Sequence, residues 1–216
     1  MLAMPRAQIE SRWPPMLAIF AVLLSIERLP ELVRVLPGWI SYVAAAAMIG
    51  PMIAVTLAPA SVLWPRIERA VLLLFVVIAM PGLVAVLSAL IRVMVLHPAI
   101  SGFHLLTSSV QVWVMNVLVF SLAYWQLDRG GPTARTDSAS ITPDWRFPQD
   151  APQGGPPGWG PLYADYLFLA FCTATAFSPT DTLPMSRRAK MLTMVQSTVS
   201  LATILLVAAR AIGILK

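Results

Sequence analysis

The sequence predicts an all-α, polytopic helical membrane protein with five full spans plus one short helical segment. The length of that segment suits re-entry better than crossing. Three observations carry this. Only 12% of the 216 residues are charged, about half the share of a soluble domain. Hydrophobic residues make up 58% and the mean hydropathy is +0.76, which places most of the chain in lipid. Uncharged stretches then recur at span length along the chain. At about 20 residues per span, the length leaves no room for a separate soluble enzyme domain.

The first segment covers 14–27 and is closed by Glu27 and Arg28. Arg6 and Arg12 precede its apolar core, as in a signal peptide, but no small-x-small cleavage site follows. An uncleaved first span is therefore expected. Pro30 and Pro37 bracket a short amphipathic stretch expected at the interface. The second segment, 39–58, lies within the charge-free run Val35–Pro65, with Trp39 and Trp64 placed for aromatic belts. Gly50-Pro51 predicts a kink in it, and Pro81-Gly82 one in the third segment, 70–96. The fourth, 104–127, follows His97 and His104, which read as interfacial polar residues because no third metal ligand is near.

Residues 128–161 differ in kind, since Pro, Gly and charges break any helical period. They predict a largely irregular loop outside the bilayer, whose Trp145, Phe147 and Trp159 should dock somewhere. The fifth apolar segment, 162–177, has Asp165 at its start. Fifteen residues separate Asp165 from Asp181, roughly 22 Å of helix against a core about 30 Å thick. The sixth, 187–213, begins with Arg187, Arg188 and Lys190 and then runs uncharged from Met191 to Ala209. The chain thus divides into four membrane helices over 1–127, the loop 128–161, and a final unit over 162–216.

Between the last two segments lies TATAFSPTDTLPMS, residues 173–186. It resembles the pore turn of tetrameric potassium channels, T-x-T-T-V-G-Y-G-D-x-x-P-x-[ST], without a gap. Thr173, Thr175, Asp181, Pro184 and Ser186 fall on matching positions, whereas Ala176, Phe177, Ser178, Pro179 and Thr180 replace the filter. Potassium filters line backbone carbonyls toward the ion, and their glycines adopt angles other residues avoid. With Ser178 and Thr180 at the glycine positions and Pro179 between them, that selectivity device is out. The phrases WQLDRGG (125–131), PDWRFPQ (143–149), YADYLFLAF (163–171) and AFSPTDTLPMSRRAK (176–190) resemble an uncharacterised family of bacterial multi-pass membrane proteins. The resemblance is specific over about 110–213 and implies no established activity.

The residues of the turn have plain chemical roles open to them. Thr173 and Thr175 can bond backbone groups where a short helix stops at membrane depth. Asp181 can cap a helix start, and Arg187, Arg188 and Lys190 can meet headgroups or pair with Asp181. Asp165 is an ionisable group in a membrane segment, although its place at the segment's start favours a dipole-complementing cap. A tight interhelical turn, an ion or substrate path and a partner-binding surface all stay open for these residues.

The net charge of +5 and pI of about 10.0 point to topology rather than nucleic acid, because the basic residues sit at segment ends. In a channel-like topology Arg28, Arg34, Arg92, Arg210 and Lys216 lie inside and the other ten Lys and Arg outside. The positive-inside rule favours the reverse. A full crossing by the fifth segment, with the N-terminus and long loop inside, gives nine inside and six outside. Cys172, the only cysteine, excludes an intrachain disulfide and reads as a small core residue. No cofactor, metal site or enzyme activity is expected, since the catalytic motifs of intramembrane chemistry are missing. The expected function is that of an inner-membrane protein with a degenerate channel-like module passing ions or small solutes, or else a non-conducting scaffold acting through loop 128–161. The bilayer is the expected partner; a homo-oligomer and a protein partner at the loop stay open.

Overall fold

The computed structural model describes residues 10–30, 34, 37–58, 61–96, 102–137, 142–151, 155–156, 159–175 and 181–214. Among these the class is all-α, with α1 (Trp13–Glu27), α2 (Gly38–Leu57), α3 (Leu63–Leu96), α4 (Gly102–Leu127), α5 (Pro132–Asp137), α6 (Tyr163–Thr175) and α7 (Arg187–Ile214). One antiparallel pair joins β1 (Trp145–Arg146) to β2 (Leu183–Pro184). Four helices, α2, α3, α4 and α7, are long and apolar enough to cross a membrane, and α1 is a shorter apolar helix.

Local chemistry explains the ends. Pro14 and Pro15 open α1, where a missing N–H costs nothing. The third segment starts at Leu63, seven residues before the expected 70. Pro65 suits a first turn, and the charge of Glu68, only 2% exposed, meets Arg12 at 3.0 Å, so charged residues 66–69 belong to the helix. α2 and α3 run through Pro51 and Pro81 without leaving helix. Ser186 caps α7 by accepting from the Ala189 N–H at 3.1 Å. The stretch 31–36 other than Arg34, and His97, lie outside the described residues.

Helices α1 to α4 alternate in direction. Arg12 at the head of α1 meets Glu68 at the head of α3, and Arg69 donates to the Gly130 carbonyl beyond the end of α4. Glu27 at the other end of α1 lies against Gly38, the first residue of α2. One end of the bundle therefore holds the start of α1, the start of α3 and the end of α4. The other holds the α1–α2 turn. α4 is the central helix, packed by α1, α3, α6 and α7, and it is buried almost continuously from Val119 to Gln126. The outer helices present large apolar side chains outward, such as Leu17, Val43, Val77 and Leu205. Contiguous apolar surface of this kind faces lipid or a partner.

Candidate functional site

The site begins where α4 ends. Arg129 is left-handed (φ 53°, ψ 27°), and Gly130 and Gly131 follow at φ 80° and 95°. Glycine suits such angles, and a Cβ on Gly131 would meet Gln126 Oε1 at 2.9 Å. This turn delivers a fully buried carboxylate, Asp128. Its Oδ1 accepts from the Asp144 N–H at 2.7 Å and the Trp145 N–H at 3.3 Å, and its Oδ2 accepts from the Tyr166 hydroxyl at 2.6 Å. Arg129 Nε lies 3.5 Å from Oδ2. One side chain thus ties α4 to the long loop and to α6. Burial holds the Tyr166 phenol well above its ordinary value, so it stays a donor.

A second carboxylate completes this polar cap. Glu10 accepts from Trp125 Nε1 and the Tyr163 N–H, both at 2.8 Å, and pairs with Arg135 at 3.1 Å. Arg135 also donates to the Trp125 carbonyl at 2.7 Å and covers the Tyr166 ring at 5.1 Å. Arg12 lies over the Trp125 ring at 5.5 Å. The described part of the loop is therefore tied down at several points. Trp145 is fully buried against Tyr124 (4.5 Å between rings), and Phe147 packs edge-on to Tyr166 and Trp159. Arg129 pairs with Asp150 at 2.6 Å.

From this cap α6 runs into the bundle. Asp165 accepts from the Leu162 N–H at 2.7 Å, which is the expected cap at the start of α6. Gln196 donates to the Ala170 carbonyl and Ser200 to the Ala174 carbonyl. Both bonds have an offset of 26 residues, so α6 and α7 run parallel and start at the same end. Thr175 consequently stops about 18 Å along a helix whose neighbours continue. β2 is nevertheless back at the cap, paired with β1 in the register Trp145↔Pro184 and Arg146↔Leu183. The Met185 N–H donates to the Asp144 carbonyl at 2.7 Å, and Arg188 grips the Asp144 carboxylate with Nε and Nη2. Eight residue steps from Thr175 to Leu183 reach at most about 26–29 Å, enough for the return. Chain segments entering and leaving this depth share one end.

At its deep end α6 is closed by uncharged donors. The Ala174 carbonyl also accepts from Trp113 Nε1 at 3.3 Å, Tyr124 donates to Gln196 Oε1, and Asn116 donates to the Gln196 carbonyl at 3.3 Å. Asn116 Oδ1 is buried with no partner among the described residues. Helix-end carbonyls that could have turned toward a cation are thus partly taken by α4 and α7.

The residues of the expected turn fall in different places. Thr173 and Thr175 bond backbone carbonyls of their own helix, Thr173 that of Leu169 (2.8 Å) and Thr175 those of Phe171 (3.0 Å) and, in the last turn, Cys172 (3.2 Å), because a helical hydroxyl reaches the i−3 and i−4 carbonyls most easily. Arg188 takes Asp144 as its carboxylate partner, since the β pairing brings that residue beside it. The helix start lies at Ser186, five residues after Asp181. Asp181, Arg187 and Lys190 are exposed at the cap end, while Ser178 and Thr180 lie outside the described residues. Cys172 is a buried free thiol, and His104 is exposed beside Phe103. Among the described residues no group of three His, Cys, Asp or Glu could hold a metal ion.

Sequence reasoning missed Glu10, Asp128, Arg135, Asp144 and Tyr166 as a unit. Asp128, Asp144 and Tyr166 all stand inside the phrases WQLDRGG, PDWRFPQ and YADYLFLAF, which was the available signal. Asn116 and Gln196 were detectable as amides inside long uncharged runs. No protein-family model, curated protein or solved structure matches the chain.

Proposed function

We propose that the protein is an integral inner-membrane protein with five full spans, α1 to α4 and α7, and a re-entrant α6, forming a degenerate channel-like pore module that passes an ion or small solute. α1 is short, but it reaches the far end of the bundle, where Glu27 lies against Gly38, whereas the chain after α6 is back at the cap by β2. The observation that carries this reading is the parallel register of α6 and α7 with β2 returned to the cap. Outer helix, folded loop, half-inserted helix, return and inner helix follow one another as in a pore module. A column of buried polar side chains at depth, Asn116, Gln196, Ser200 and Thr203, supports a path, because polar groups inside a membrane are costly and tend to be functional. The path is not a potassium filter, for the reasons given by Ser178, Pro179 and Thr180.

Orientation follows from charge. Arg12, Arg66, Arg69, Arg129, Arg135, Arg146, Arg187, Arg188 and Lys190 gather at the cap end, against Arg28, Arg34, Arg92 and Arg210 at the other. The cap end therefore faces the cytoplasm, and α6 enters from that side. The scaffold reading is less favoured, because Trp145 and Phe147 are spent inside the fold.

Two experiments test this. In a Cys172→Ala background, single cysteines replacing Ser140 and Ser186 should label from the same side of the membrane, and one replacing Arg28 from the other. Opposite-side labelling of the first two ends the re-entrant reading. Planar-bilayer recording on purified protein should show conductance to at least one of several cations and anions, and silence to all of them sinks transport.

A further inference from the structure

A second feature lies in the half of the bundle that the pore module does not use. Helices α1, α2, α3 and α4 enclose a cleft of about 380 Å³, within the range of about 300–1,000 Å³ typical of small-molecule sites. Apart from Arg34 and Ser41 its walls are apolar, with Val22 and Ile26 from α1, Met48 from α2, Ile78 from α3 and Met115 from α4. Along α3 it runs from Val71 to Val86, about 22 Å of helix. One leaflet of the hydrocarbon core is about 15 Å deep, half of about 30 Å, so the cleft is long enough for a whole chain. Leu74 and Ile78 line it while remaining 59% and 55% exposed. The cleft is therefore reachable sideways from the surface that faces lipid.

Its polar features gather at the end away from the cap. Arg34 lines the cleft, and its Nε is buried with no hydrogen-bond partner among the described residues. Its other nitrogens donate to the Glu27 and Leu29 carbonyls and lie 3.7 Å from Glu27 Oε2. Arg28, exposed beside Glu27, adds a second guanidinium at this end. The combination is a long apolar slot, open to lipid, with a guanidinium at its mouth whose Nε has no partner among the described residues.

We infer that the α1–α4 cleft binds one acyl chain of an anionic membrane phospholipid, with the phosphate held at Arg34. The lipid comes from the leaflet opposite the cap. A bound chain fills a space that side chains leave open, and the phosphate supplies the acceptor that Arg34 Nε lacks. The site rests on the membrane reading but not on the pore module, since α6 and α7 contribute nothing to it.

Gly82 allows a clean test. It lines the cleft, and a Cβ there has no heavy atom within 4 Å, so the side chain of Gly82→Leu starts into open space, narrows the slot and improves helix propensity. Gly50, in α2 outside the cleft, is equally open, and Gly50→Leu serves as the control. Detergent-extracted protein is weighed by native mass spectrometry, then delipidated and titrated with phosphatidylglycerol and phosphatidylcholine. The native protein and Gly50→Leu should each retain one phospholipid and prefer phosphatidylglycerol at least ten-fold. Gly82→Leu should bind either lipid at least ten-fold more weakly. Arg34→Gln should keep phosphatidylcholine binding and lose the preference. Equal retention by the native protein and Gly82→Leu, or no retained lipid in the native protein, overturns the site. Equal affinity of the native protein for the two lipids overturns the role of Arg34. Recovery of the chain from the soluble fraction would instead defeat the membrane reading itself.

Discussion

The two ends of α6 are held by opposite kinds of chemistry. Its start is fixed by charge, through Glu10 on the Tyr163 N–H, Asp128 on the Tyr166 hydroxyl, and Arg135 over both. Its deep end is fixed by neutral groups, the amide of Gln196, the indole of Trp113 and the hydroxyl of Ser200. The difference follows from depth. A carboxylate near the interface keeps several donors and a guanidinium close by, so its desolvation is offset. On the proposed membrane reading, a charge at the level of Ser200 would stand in hydrocarbon, where it costs about 2.5–3.5 kcal/mol even on insertion scales. An amide supplies a donor and an acceptor there without that penalty.

The largest break in this contrast should come from Asp128→Ala. It strands three donors and Arg129 around a buried void, and a loss of about 3–5 kcal/mol is expected. Thermal unfolding in detergent, followed by circular dichroism, should show a collapse of Tm; a change of a degree or two would mean the cap does not hold the fold. Next comes Gln196→Glu, which moves a carboxylate from where it is tolerated to where it is not. A cost of about 2.5–3.5 kcal/mol is expected, and stability equal to the native protein would show that water reaches this depth. Glu10→Gln keeps the shape but removes the charge opposite Arg135, at about 1.5–3 kcal/mol. Chemical denaturation at two salt concentrations checks it: a buried pair responds weakly to salt, so a strong salt effect would place Glu10 in open solvent.

Smaller effects sharpen the same comparison. Gln196→Leu removes one interhelical hydrogen-bond node and should cost only about 0.6–1.7 kcal/mol, while faster hydrogen exchange appears at the amides that close α6. Exchange unchanged there would show that the node does not close the helix end. Arg188→Gln is the mildest, at about 1 kcal/mol or less, because the arginine is 57% exposed although Asp144 is only 4% exposed. A drop as large as that of Asp128→Ala would mean that the Arg188–Asp144 pair, rather than Asp128, secures the loop.

What the residues announced and what they concealed divide along the same line. Runs such as Met191–Ala209 and Val93–Leu127 revealed α7 and α4 within a few residues, because burial in lipid selects for uncharged length. Asp165 was readable as a cap, since its partner, the Leu162 N–H, is three residues away. Trp145, Phe147 and Trp159 announced that the loop docks, but not where. The start of α3 at Leu63 was hidden because charge near Glu68 looked like loop, and only Arg12, 56 positions earlier, makes it helix.

By itself, the sequence determined an all-α class with apolar runs long enough to cross a membrane, and it raised the expectations of a short fifth segment and of a turn without potassium-filter residues. These conclusions rest on length, composition and backbone constraints, all of which are local. Tertiary structure alone decided that α6 starts and the chain returns at one end of the bundle. It also decided that Glu10, Asp128, Arg135, Asp144 and Tyr166 form one polar cap. Those contacts join residues up to 153 positions apart, Glu10 to Tyr163. No periodicity encodes such a pairing; it exists only once α4, packed on four sides, brings the ends together.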